Sequence, residues 1–67
     1  MQIKIDGDFI KLDTLIKLSG IASTGGQAKI FVLNGDVKVN GEVCLMRGKK
    51  LRSGDKVSLF GEIIEVI

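Results

Sequence analysis

Thr24-Gly25-Gly26-Gln27, with Lys29 two residues on, is the first of two groups in this 67-residue chain whose types and spacing could do chemistry. A hydroxyl followed three positions later by Gln has the spacing of a capping box, the start of a helix. Gly25 and Gly26 then fill the first turn, where backbone N–H groups lack an intrahelical acceptor and carry the positive end of the helix dipole. Glycine lets a ligand come close there, so the segment reads as a candidate phosphate cradle. A glycine-rich turn with no ligand is the plain alternative. The second group is a run of cations, Arg47, Lys49, Lys50 and Arg52, preceded by Lys38 and followed by Lys56. Between Lys38 and Lys56 six basic residues meet only Glu42 and Asp55, an excess of four positive charges. Residues 1–37 balance four lysines with four aspartates, and the tail adds Glu62 and Glu65. Charge concentrated in this way points to a polyanionic partner, against the plain reading of a solvated loop face.

Other chemistry is missing. The chain has no histidine, so the common general base is absent and a zinc site is not expected. The one cysteine, Cys44, cannot form an intramolecular disulfide, and its neighbours Val43 and Leu45 predict buried packing for it. The carboxylates are scattered through turns and strand ends, with no pair to act as acid and base. Gly25-Gly26-Gln27-Ala28-Lys29 lacks the spacing of a Walker loop. No enzyme, cofactor or small-molecule substrate is expected. The opening MQIKIDGDF is no signal peptide, and no run approaches the roughly 18 apolar residues that span a bilayer. With an unpaired cysteine, these features lead us to expect the cytoplasm.

The elements that must hold these groups follow from period. Ile3 and Ile5 alternate in QIKI, a short strand before the turn-like Asp6-Gly7-Asp8. Leu12, Leu15, Ile16 and Ser19 share one helical face, and Gly20 is placed as a left-handed cap. In the second helix Ala28, Phe31 and Val32 form the inward stripe, Lys29 lies off it, and Gly35 closes the helix. Val37 and Val39 then alternate with Lys38, before Asn40-Gly41, a strong hairpin signal. The stretch MRGKKLRSGD reads as an exposed loop with a second turn at Ser53-Gly54-Asp55, KVSLF as a strand with Val57 and Leu59 together, and GEIIEVI as the last strand. The predicted class is α+β: an αα unit packed on a small, mainly antiparallel sheet in the order β-α-α-β-β-β, one domain over 1–67. Phe9, Phe31 and Phe60 fall in core-like patterns, so base stacking on exposed aromatics is not expected.

In this order the motifs resemble the ribosomal protein S4-type RNA-binding domain family, and within it the small stand-alone YaaA-like and YbcJ-like members. The likeness covers about 11–60. It rests on Lys11-Leu12-Asp13, Gly20, Thr24 with Gln27-Ala28-Lys29, Phe31-Val32, Gly35, Val37-Lys38-Val39-Asn40-Gly41, and Leu51 with Gly54-Asp55-Lys56-Val57. The resemblance implies the αL-type motif, with an RNA-binding face built from the start of the second helix and the hairpin that follows. Thr24, Gly25, Gly26 and Gln27 would face a phosphate, and Lys29, Lys38, Arg47, Lys49, Lys50 and Arg52 would flank the backbone. Most family members carry arginine where this chain has Gly25, although stand-alone relatives tend to share the glycine. Ile30 and Leu33 stand at positions often polar in the family. We expect them to pack under the N-terminal strand, with an apolar patch for a partner as the alternative.

The expected function is therefore non-catalytic binding of structured RNA, ribosomal or transfer RNA, through its backbone and shape. The expected setting is ribosome assembly or translation, with structured RNA or a ribosomal particle as partner, the chain a monomer and no membrane partner. Two other classes compete. A protein-interaction module could dock an acidic partner on the same cations. A β-grasp sulfur carrier shares the opening strand, the Val-Asn-Gly hairpin and the late Gly-Asp strand, but needs a C-terminal Gly-Gly where this sequence ends Glu-Val-Ile.

Overall fold

Leu12, Leu15 and Ile16 lie on one face of the first helix, and all three are fully buried. The computed structural model describes residues 1–67 and contains two helices, α1 (Leu12–Leu18) and α2 (Gly25–Leu33). Both stop at the glycines placed to stop them. After α2, Gly35 turns left-handed at φ 81°, and the N–H groups of Gly35 and Asp36 donate to the carbonyls of Val32 and Phe31 at 3.1 and 3.2 Å. These are the two bonds of a Schellman motif. After α1, Gly20 (φ 82°) donates to the Lys17 carbonyl at 3.1 Å. Here the Ser19 hydroxyl stands in for the second bond, accepting from the Ile21 N–H at 3.2 Å and donating to the Ile16 carbonyl at 2.5 Å.

Seven short strands accompany the helices: β1 (Gln2–Ile3), β2 (Ile10–Lys11), β3 (Lys38–Val39), β4 (Glu42–Val43), β5 (Lys50–Leu51), β6 (Lys56–Leu59) and β7 (Glu62–Val66). Five form one sheet in the order β1-β7-β6-β3-β4, antiparallel except where β1 runs parallel to β7. That parallel pair zips the first strand to the last: the N–H of Glu65 donates to Met1 at 2.8 Å, and that of Ile67 to Ile3 at 2.9 Å. Strand alternation sends Val37, Val39, Val57, Leu59, Ile64 and Val66 to the inner side of the sheet. There they meet α1, α2, Ala22 and Leu51 in a core of 13 hydrophobic residues with no buried polar side chain.

The α+β class is as expected, and the strand inventory is richer than the β-α-α-β-β-β reading. Ile10–Lys11 pairs antiparallel with Lys50–Leu51 in a separate two-stranded ribbon, so MRGKKLRSGD is not loop throughout and Leu51 is fully buried. Two-residue strands offer no alternation to read, which is why the basic stretch looked irregular. The turn between β6 and β7 is also a tight one, with Phe60 at φ 50° and Gly61 at φ 79°, matching Asn40 (φ 51°) and Gly41 (φ 88°) in the predicted hairpin. Left-handed backbone is rare for a bulky residue. Phe60 is held there edge-on to Phe31, ring centroids 4.9 Å apart at 85°.

Candidate nucleic-acid interface

The start of α2 is capped by its own sequence. Thr24 is extended, its hydroxyl accepts from the Gln27 N–H at 3.0 Å, and Gln27 Oε1 accepts from the Ser23 N–H at 2.6 Å. The box thus forms one residue wider than its usual version, with Gln27 reaching past the cap. The Ala28 N–H donates the first helical bond, to the Thr24 carbonyl at 3.1 Å, so the N–H groups of Gly25 and Gly26 come before the first helical donor and have no acceptor within the helix. Neither glycine has a positive φ. A methyl group added at Gly25 would meet no other part of the fold within 4 Å, and one at Gly26 only the Thr24 hydroxyl, at 3.8 Å. The fold itself does not require glycine at either place. Lys29 is exposed one turn along. Helix side chains lean toward the N-terminus, so Lys29 stands on the side of the helix nearest that first turn.

Four of the predicted cations come together on the β2–β5 ribbon and the turn before it. The turn is clamped to the start of α1: Leu12 and Asp13 donate their N–H groups to the carbonyls of Lys49 and Arg47, at 2.9 and 3.0 Å. Donors that a helix start leaves unpaired are thereby satisfied by the basic segment's own backbone. Asp13 also takes the one ion pair in the molecule, with Arg47 at 3.5 Å. Lys50 stands opposite Lys11 across the ribbon and carries its ammonium 4.8 Å from the centre of the Phe9 ring. The Arg52 guanidinium donates to the Asp8 carbonyl at 3.2 Å. Leu51, between these cations, points into the core and anchors the ribbon. Lys11 was not among the predicted contacts. Its place in the basic cluster depends on a strand pairing that the sequence does not display.

Lys38 sits elsewhere. Val37 and Val39 face the helices, so Lys38 projects from the opposite side of the sheet, into an open groove of about 370 Å³ beside Asp36, Ser58, Glu62 and Ile63. Lys56 lies on that side too, next to a polar lock. Asn40 donates its side-chain amide to Asp55 at 3.1 Å and accepts the Lys56 N–H at 2.9 Å, while Asp55 accepts the Arg52 N–H at 2.8 Å. The Arg52 backbone bond, then the Asn40 amide, hold the Asp55 carboxyl below its ordinary range. Asn40 therefore ties the hairpin to the end of the basic segment as well as making its turn.

Three expectations about apolar residues change. Ile30 and Leu33 do not pack under the first strand: they are 56% and 55% exposed on the outer face of α2. Ala28 and Val32 take the inward positions, and β1 is used up at the far edge of the sheet against β7. Only Phe31 packs against the core, whereas Phe9 and Phe60 are exposed, each displaced by its neighbours Ile10 and Leu59. Cys44 is half-buried against the core, its thiol 3.7 Å from the Met46 carbonyl. No three His, Cys, Asp or Glu side chains gather where a metal ion could be held, and no helix is long and apolar enough to cross a membrane. What the arrangement offers is unpaired N–H donors and cations on fixed backbone.

Residues 3–67 match the family model of the S4 domain, and the chain belongs to that family. Among curated relatives it is similar to the putative RNA-binding protein YbcJ of Escherichia coli (strain K12), 38% identical over 58 residues, 87% of this chain and 83% of that one. It is also similar to the probable ribosome maturation protein RlbA of Bacillus subtilis (strain 168), 41% identical over 59 residues, 88% of this chain and 83% of that one. The solution structure of E. coli YbcJ, described as revealing a motif involved in RNA binding, superposes with a TM-score of 0.76 at 33% identity. The match covers 98% of this chain and 85% of YbcJ.

Proposed function

We propose that this chain is a non-catalytic RNA-binding protein that grips the backbone of structured RNA, ribosomal or transfer RNA, during ribosome maturation. The observation that carries the reading is uncompensated charge on rigid backbone. Lys11 and Lys50 face each other, Lys49 and Arg52 stand beside them, and none of the four forms an ion pair; Asp55, the carboxylate that feels Lys49 and Arg52, is already engaged by the Arg52 N–H and the Asn40 amide. Like charges directly opposite in a sheet are destabilising, a cost that an external anion would offset. A polyphosphate backbone is such an anion. The start of α2 adds open N–H groups one turn before Lys29, a second place for a phosphate. Relatives named for RNA binding and for ribosome maturation support the choice of RNA as the polyanion. Lys38, on the other side of the sheet among carboxylates, is the weakest of the proposed contacts.

Salt-dependent titration of ribosomal RNA fragments tests this, with a Lys49→Glu, Lys50→Glu, Arg52→Glu variant as the control. A second reading, docking on an acidic protein, is favoured by the exposed Ile30 and Leu33. It is separated by polar substitutions at those two residues, which would abolish a protein contact and leave RNA affinity intact.

A further inference from the structure

Phe9 is the one aromatic ring that the fold leaves among cations. Ile10 pairs with Leu51 on the inner side of the ribbon, so Phe9 and Lys11, one residue to either side, share the outer side with Lys50. The contact seen there agrees: the Lys50 ammonium lies over the Phe9 ring at 4.8 Å, and Phe9 as a residue is 39% exposed. Arg52 holds the carbonyl of Asp8, the residue before it, at 3.2 Å, which fixes the backbone that presents the ring. An apolar ring on a charged outer face adds nothing to the core, yet here one cation covers the ring and another holds the backbone before it.

We infer that Phe9 is a stacking platform for an unpaired nucleobase of the bound RNA, an inference that rests on the RNA reading above. Lys50 covers the ring in the free protein. A cation over an exposed ring is held less strongly than a base stacked on one, and an incoming phosphate draws the same ammonium away. The exchange lets one nucleotide satisfy both residues, its phosphate on Lys50 and Lys11, its base on Phe9. Stacking needs a base free of its partner, so the ligand is structured RNA with a loop, bulge or frayed end at the ribbon. Phe60, though more exposed, is not an equivalent platform. Its ring stands edge-on to Phe31 and borders the groove that holds Asp36 and Glu62, whose carboxylates repel phosphate.

The chain has no Trp or Tyr, so Phe9→Trp places a single fluorescent reporter at the platform. The probes are an RNA hairpin with an unpaired loop and a fully paired duplex of the same stem, with circular dichroism checking that each variant is folded. Loop RNA should quench the Phe9→Trp emission and duplex should not. Phe9→Leu should weaken loop binding about tenfold and duplex binding less than twofold. Unchanged emission at saturating loop RNA, with Phe9→Leu binding as well as wild type while Lys49→Glu does not, overturns the stacking inference and leaves the RNA reading standing. Failure of the wild-type chain to bind either RNA at low salt overturns both.

Discussion

Lys11 and Lys50 stand directly opposite each other in the β2–β5 ribbon, cation against cation, with Ile10 and Leu51 paired beneath them. Cβ atoms in such a pair are about 5 Å apart, and like charges there oppose folding. Lys11→Thr should therefore raise stability by about 0.2–1 kcal/mol in urea denaturation, since threonine also suits a strand. The same change should weaken RNA binding and reduce the magnitude of the salt slope by about one. A variant that is both more stable and equally tight would show that Lys11 does not meet the RNA.

The glycines of α2 invite a parallel test. Neither Gly25 nor Gly26 has a positive φ, and a Cβ would stand in empty space at Gly25 and in ordinary contact with the Thr24 hydroxyl at Gly26. Gly25→Ala should stabilise the fold by about 0.4–1 kcal/mol, because the unfolded chain loses freedom and the folded one loses nothing. RNA affinity should fall several-fold if a phosphate approaches that turn. Unchanged affinity would move the interface away from the start of α2.

Thr24→Ala acts on the same turn by another route. It removes the acceptor of the Gln27 N–H and should cost about 1 kcal/mol, a drop in melting temperature of about 4–8 °C for a domain of this size. Thermal denaturation followed by circular dichroism measures it.

Much of this architecture could be read from residue order, and the reason is period. Leu12, Leu15 and Ile16, the Thr24–Gln27 box, Gly20 and Gly35 as left-handed caps, and Asn40-Gly41 as a hairpin all carry their geometry locally. The β2–β5 ribbon does not, because two residues contain no alternation and the partners lie about 40 positions apart. Lys11 and Phe9 were missed for that reason alone. Lys38 was legible in part: once Val37 and Val39 face inward, parity sends it to the side of the sheet opposite the helices. Ile30 and Leu33 were misread as buried, since α2 is apolar nearly all round and its period does not say which face is covered.

Asp55 makes stability depend on pH. Its carboxyl titrates below its ordinary value of about 3.8 because the charged form accepts from the Arg52 N–H and the Asn40 amide. A folded-state value below the unfolded one contributes stability that is complete above the unfolded value and is lost as pH falls through the folded one. Stability should thus fall below about pH 4, and Asp55→Asn should lose part of that acid dependence. Urea denaturation of both proteins between pH 7 and 3 gives the comparison. Identical slopes would mean the lock is not formed in solution.

Ile30→Gln with Leu33→Gln should change stability by less than about 0.5 kcal/mol for each residue, as both side chains already face solvent, and adds no charge that would itself attract RNA. Pull-down of acidic protein partners and RNA titration, run on this variant together, separate a protein-docking face from an RNA-binding one.

The central claim is that the clamped basic ribbon grips an RNA backbone. Fluorescence anisotropy of a structured ribosomal RNA fragment, titrated at several salt concentrations, tests it most directly. Neutralising about four phosphates predicts a slope of log K against log salt of about −3 to −4, with binding lost in a folded Lys49→Glu, Lys50→Glu, Arg52→Glu variant. Equal, weak and salt-insensitive binding by both proteins would contradict the account and leave the ribbon as a solvated surface.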